Sequence, residues 1–191
     1  MDFHPLTPER WNDFETLFGP KGAYGGCWCM WWRSSRAEFE KRHGEGNRLA
    51  MKSIVDSGRI PGILGYLDGA PVAWCSVAPR AEYDALERSR VLKPIDDAEV
   101  WSIVCFFVAK EHRGAGMLEL LIRAAVEHVR SRGGRMVEAY PTVTKTQNAP
   151  PTSTYMGFPE AFARVGFTEV AQPSKTKRVL RYHITDDPAR K

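Results

Sequence analysis

Between Cys105 and Val129 the chain reads CFFVAKEHRGAGMLELLIRAAVEHV. An apolar run rich in β-branched and aromatic side chains stops at Lys110, a short basic, glycine-containing turn follows, and leucines and alanines then recur at helical spacing to Val129. The order is strand, glycine turn, helix. Such a turn leaves the first backbone N–H groups of the helix unpaired, with the positive end of the helix dipole behind them. It can therefore hold an anion. Gly114 and Gly116 let backbone approach a phosphate with no Cβ in the way, and His112 and Arg113 add positive charge. Taken alone, the same residues also serve simply to turn the chain.

The surrounding residues exclude the two commonest phosphate loops. A dinucleotide fold requires G-x-G-x-x-G, and Glu119 stands where its third glycine would fall. A P-loop requires G-K-[ST], which the turn lacks.

The remaining pattern is one of alternating elements. TPERWNDFETLFG reads as an amphipathic helix, with Thr7 as N-cap, Pro8 at the first helical position and Trp11, Phe14, Leu17 and Phe18 on one face. A second helical region runs from Ser35 to Gly58, with a break expected near Glu45, between Gly44 and Gly46. GILGYLDGAPVAWCSVAPR is a hairpin turning at Asp68-Gly69. AEYDALERSRVL follows as a short helix and EVWSIVCFFV as a long buried strand. After the central helix come a strand (RMVEAYPTV), a short helix (GFPEAFARVGF) and a closing strand pair (TEVAQ, RVLRYHI); DFHPL is a candidate first strand. The order implies an α/β chain with a mixed sheet and helices on both faces, read as one domain over residues 1–191.

Charge and cysteine usage narrow the function. The net charge is +4, from 27 basic and 23 acidic residues, with no basic block beyond KTKR, so nucleic acid is not an expected partner. No apolar run is long enough to span a membrane and the start lacks a signal-peptide layout, which makes a cytoplasmic location the expectation. Of the four cysteines, Cys27 and Cys29 form a C-x-C, a poor zinc signature, and Cys75 and Cys105 sit within strand-like runs. Reduced structural thiols and no metal are expected.

The turn Glu111-His112-Arg113-Gly114-Ala115-Gly116 resembles that of the GNAT acetyltransferase superfamily, which reads [Q/R]-x-x-G-x-[G/A] between its fourth strand and third helix. Both glycines match, and Glu111 replaces the family's Gln or Arg. The similarity extends through GRMVEAYP and FARVGFTEV and covers about the C-terminal half, from Pro71 onward. It implies a mostly antiparallel central sheet flanked by helices, with splayed parallel strands at an acetyl-CoA site. The resemblance further implies that Arg113, Gly114, Ala115, Gly116, Met117 and Leu118 hold the pyrophosphate, while the strand end Phe106, Phe107 and Val108 pairs with the pantetheine arm.

Acetyl transfer to an amine needs a base for the ammonium and an acid for the thiolate. The family often supplies the acid as a tyrosine four residues before the Gly-Phe that ends its fourth helix; here that position is Phe162. Candidates must come from elsewhere. Glu138 lies in an otherwise apolar strand, where a carboxylate is costly unless it is paired or used. The family's glutamate position falls on Ser102, which would hold a water, and Tyr155 and Tyr140 are candidate acids. Trp28, Trp31, Trp32 and Arg33, in GPKGAYGGCWCMWWRSSR, either plug the core or form an aromatic wall for a small amine, with Arg33 meeting an acidic group on it. The expected activity is transfer from acetyl-CoA to a primary amine of a small molecule. The alternatives are a non-catalytic CoA-binding or acyl-CoA-binding module and a protein N-acetyltransferase. Oligomeric state stays open, a homodimer being one option.

Overall fold

A computed structural model of the chain describes residues 1–114, 116–144 and 154–185. Its hairpin forms where Asp68-Gly69 places it: both residues have positive φ (51° and 81°), the backbone that twists two strands together. The flanking strands are β2 (Gly62–Leu67) and β3 (Ala70–Pro79). Outside β2 lies β1 (Asp2–Pro5), and on the other side of β3 follows β4 (Trp101–Val108), then β5 (Met136–Ala139). The closing pair is β6 (Thr168–Ser174) and β7 (Lys177–His183), which gives the sheet order β1-β2-β3-β4-β5-β7-β6. Every neighbouring pair is antiparallel except β4 and β5, which run parallel.

Two apolar layers cover the sheet. One face receives α5 (Met117–Ser131) and α6 (Pro159–Val165), whose Leu121, Ile122, Ala125, Val129 and Phe162 bury against Ile103 and Val137. The other face receives α1 (Trp11–Phe18) and α3 (Glu45–Asp56), with the tryptophan loop between α1 and α2 (Arg36–Lys41). The expected break in the second helical region falls at Gly44, with φ 73°. Thr7 departs from expectation. Pro8–Arg10 forms a 3₁₀ turn, the α-helix begins only at Trp11, and the Thr7 side chain makes no capping bond to the backbone. AEYDALERSRVL is likewise shorter than the pattern implied: a 3₁₀ turn at Arg80–Glu82 precedes α4 (Asp84–Glu87).

Gly62 shows how tightly β2 lies against β3 and its Trp74 side chain. A Cβ there would lie 2.2 Å from the Cys75 carbonyl oxygen and 2.7 Å from the Trp74 ring. Backbone on one side and a buried indole on the other leave it nowhere to go. Gly62→Ala is expected to cost about 1–3 kcal/mol of unfolding free energy in urea, the usual range for overpacking; an unchanged midpoint would mean that β2 shifts freely against β3.

Candidate active site

The site follows from where β4 and β5 stay together and where they part. They pair over only three positions, Trp101↔Val137, Ser102↔Glu138 and Ile103↔Ala139. Next on β4, the register against β3 steps from Ile103↔Val77 to Cys105↔Ser76, which makes Val104 a bulge residue. A bulge bends and twists its strand, here at the point of separation. Beyond it, the Ala109 N–H donates to Val72 O at 2.9 Å, so antiparallel alternation sends the N–H and C=O of Phe106 and Val108 the other way, into the gap.

The protein's own groups occupy part of that edge. The Phe106 N–H donates to Tyr155 O at 2.7 Å, and the Arg113 Nε–H donates to Val108 O at 2.9 Å. On the far side of the gap the Thr142 N–H donates to Gly157 O at 3.2 Å. The segment Thr154–Gly157 thus bridges the two diverging strands. Gly157 is required there: its φ is 83°, and a Cβ would come within 2.9 Å of Phe162 and 3.2 Å of Phe106. Lys177 supports the segment from below, with Nζ 2.8 Å from Thr142 Oγ1 and 3.2 Å from Met156 Sδ, and burial lowers its pKa to about 8.

At the mouth of the gap, Gly114 and Gly116 adopt φ of 93° and 73°, and nothing lies within 4 Å of where a Cβ of either would stand. Gly116 opens α5 with no side chain capping its N-terminus. Met117 is buried and Leu118 packs against the core, so side chains turn inward while the start of the helix faces the turn. An open approach, backbone N–H donors and a 15-residue helix dipole fit a phosphate group. Ala115 lies outside the described residues.

Glu138 sits at the crotch of the two strands and is only 1% exposed. Its carboxylate accepts from Arg80 Nη1 (3.2 Å), Arg181 Nε (2.7 Å) and the Tyr140 hydroxyl (2.6 Å). Arg80 donates further to Tyr140, Glu87 and the carbonyls of Leu86 and Leu92, and Arg181 holds Asp96 through both terminal nitrogens. Ser102 Oγ lies 2.8 Å from the Tyr140 hydroxyl, which burial and the Glu138 charge keep protonated, its pKa raised well above the ordinary tyrosine value. Glu138, Ser102 and Tyr140 therefore belong to one buried, paired network. No spacing in the sequence points to Arg80, Arg181 or Asp96, which lie 58, 43 and 42 positions from Glu138; the fold brings the two arginines to Glu138 and Asp96 to Arg181.

The remaining candidates divide between core and gap. Trp28 is 6% exposed and stacks on Phe18, ring centroids 5.8 Å apart. Arg33 is also buried, donating to Pro61 O at 2.9 Å and to Glu82 at 3.3 Å, with its guanidinium 4.3 Å above the Tyr83 ring. Trp31 is 40% exposed, edge-on to Phe39. Trp32 is half-buried and shares a cluster with Tyr155 and Cys105 beside the gap. The tertiary structure thus brings Trp32 and Tyr155 together and sets Trp28 and Arg33 apart from them. Burial raises the Tyr155 hydroxyl pKa, with Cys105 the next contributor. A cavity of about 640 Å³ opens between α3 and Ala81–Asp84, with Met30 and Arg33 on its wall. Among the described residues no group of three His, Cys, Asp or Glu side chains is arranged to hold a metal, and no helix is long and apolar enough to cross a membrane.

A mixed seven-stranded sheet that opens between parallel β4 and β5 in front of a glycine-started helix is the architecture of the GNAT acetyltransferase fold. The acetyltransferase (GNAT) family matches residues 28–158, more than half of the chain, and the protein belongs to that family. None of the curated proteins matches in sequence. Solved structures share the fold at low identity. A GNAT-family acetyltransferase from Streptococcus agalactiae is 13% identical with TM-score 0.55, over 96% of this chain and 95% of that one. The PaiA N-acetyltransferase from Thermoplasma acidophilum, in complex with coenzyme A, is 12% identical with TM-score 0.52, over 96% and 98%. A ribosomal-protein-alanine N-acetyltransferase from Brucella melitensis is 14% identical with TM-score 0.51, over 96% and 100%.

Glu138→Gln keeps the shape and removes a charge shared by two buried guanidinium groups. Breaking a buried pair from one side costs about 3–5 kcal/mol, so a fall of that size in urea unfolding is expected. Equal stability would show that Arg80 and Arg181 find other acceptors.

Proposed function

We propose that the protein is an acetyl-CoA-dependent N-acetyltransferase acting on a primary amine of a small molecule. One observation carries this reading: the uncapped start of α5 and the outward-facing edge of β4 border the same gap, the first suited to a phosphate and the second to an amide-bearing arm. Acetyl-CoA would supply the acetyl thioester. The backbone of Gly114–Leu118, beside Arg113, would bind its pyrophosphate. Phe106 and Val108 would orient the arm after releasing Tyr155 O and the Arg113 guanidinium, while Phe107, facing the other layer beside Phe18, stiffens the edge from behind.

Of the two proton transfers, the chain's own groups supply the one to the leaving sulfur. Tyr155 has its raised pKa and lies beside Cys105 next to the gap, so it would stay protonated and donate to the leaving sulfur in place of the absent tyrosine at Phe162. Glu138 and Ser102 are assigned as positioning groups, because their bonds to Arg80, Arg181 and Tyr140 fix the closed part of the sheet. Trp32 walls the acceptor side and Trp31 borders it in solvent. Trp28 and Arg33 hold the loop in place.

Gly116→Asp puts a carboxylate into the anion site, and its effect on CoA binding is expected to be at least tenfold, about 1.4 kcal/mol, by calorimetry on the folded variant. Unchanged affinity would overturn the cofactor assignment. Thiol release from acetyl-CoA, followed across small amines and N-terminal peptides, then identifies the acceptor class. The second reading, a CoA-binding module without catalysis, is favoured by Phe162 and by the occupied edge of β4. CoA binding with no thiol release for any amine would decide for it.

A further inference from the structure

The basic block KTKR, Lys175 to Arg178, falls at the turn from β6 into β7, and the fold carries that turn to the gap. The Val143 N–H donates to Thr176 O at 2.9 Å and the Arg178 N–H to Pro141 O at 3.3 Å, and Thr142 bridges to Lys177. β7 therefore begins beside the continuation of β5, at the end of the sheet where β4 and β5 have parted. Alternation along β7 puts Lys177 and Val179 on one face. Val179 is buried there with Met156, in the cluster that Trp32 and Tyr155 pack against. Lys177 thus lies on the face of the sheet that Trp32 walls, against the segment bridging the gap.

The three cations of the block differ in how their charge is met. Lys175 is exposed in the turn. Arg178 pairs with Glu169 of β6 at 3.3 Å and donates to the carbonyls of Ser174 and Lys177. Lys177 is half-buried, and its Nζ meets only Thr142 Oγ1 (2.8 Å), Met156 Sδ (3.2 Å) and Tyr140 O (3.4 Å). The carboxylates of the neighbouring strands are engaged elsewhere, Glu169 with Arg178 and Glu138 with Arg80 and Arg181. Among the described residues no carboxylate pairs with Lys177. A thioether is a weak acceptor, and a neutral donor could hold Thr142 and Met156 without the cost of drawing a charge out of water. The ammonium lacks a counter-ion, and its lowered pKa of about 8 has burial as its cause.

We propose that Lys177 is the counter-ion for a carboxylate on the acceptor, so that the substrates are small amines that also carry a carboxylate. This assignment rests on the acetyltransferase reading and names its substrate class. One carboxylate oxygen takes the N–H that now points at Met156 Sδ, a charge-assisted hydrogen bond in place of a weak one. The same segment has to yield when the arm of acetyl-CoA displaces Tyr155 O from Phe106, so both ligands draw on one movement of Thr154–Gly157. Held at its carboxylate end, the acceptor is left with its amine free to reach the thioester. Lys177 touches neither reacting atom; it selects the substrate.

The test measures thiol release from acetyl-CoA by the full-length protein on amino carboxylates of increasing chain length, each paired with its neutral carboxamide. In at least one pair the carboxylate should exceed its carboxamide in kcat/KM by about tenfold or more, mainly through KM, the low end for a hydrogen bond to a charged group. In Lys177→Met that preference should vanish, and Lys177→Arg, which keeps the charge, should retain most of it. Equal kcat/KM within every pair, or a preference that survives Lys177→Met, overturns the assignment of Lys177 and leaves the transferase reading standing. Thiol release from no amine at all overturns the transferase reading, and this assignment with it. If Lys177→Met does not fold, an NMR titration of Lys177 in the native protein with CoA bound decides: its pKa should rise with the preferred carboxylate and not with the carboxamide. No rise with the carboxylate overturns the assignment.

Discussion

The carboxylate of Glu138 is the point on which the site's geometry depends. It stands at the middle of the three residue pairs that hold β4 and β5 together, and it joins Arg80 at the end of β3 to Arg181 on β7. A charge this deep would be costly without those partners. With them, it clamps the closed half of the sheet from both sides. Through Tyr140 the clamp reaches Ser102 on β4, and through Arg181 it reaches Asp96 in the segment leading into that strand. The strands can separate above Ile103 because they are fastened below it.

What lies above the clamp is a strand edge with its hydrogen-bonding groups turned outward. A buried backbone donor or acceptor is seldom left unmade. Here Tyr155 O and the Arg113 guanidinium take Phe106 and Val108, so a ligand entering the gap exchanges hydrogen bonds instead of making them anew. Each exchange returns less free energy than an open edge would, and it sets the conformation of the bridging segment Thr154–Gly157. Gly157 and Lys177 hold that segment by shape and by contact, respectively.

The tryptophan loop serves two ends at once. Trp28 fills the layer under α1, stacked on Phe18, and Arg33 is anchored at Pro61 and Glu82. Between these two fixed points the loop delivers Cys29 onto Trp74 of β3 and sets Trp32 beside Tyr155. Large aromatic residues in one short stretch therefore do not form one surface. Their backbone turns through left-handed conformations, and successive side chains leave in different directions.

The strand, glycine turn and helix from Cys105 to Val129 were legible in the sequence, as were the Asp68-Gly69 hairpin and the helix break near Gly44, because each rests on local periodicity or a φ that glycine favours. The family resemblance rested on that same local turn. The sequence also marked Glu138 as a residue needing an explanation, since an acid in an apolar strand violates a local rule. Which explanation holds was beyond it: Arg80 comes from the turn after β3 and Arg181 from β7, and no spacing encodes their meeting. The same is true of Tyr155, whose place beside β4 depends on how the chain returns after β5. Local chemistry determined the elements and the glycine turn. Only the tertiary structure decided which distant side chains share a site, because sheet pairing and layer packing set those distances.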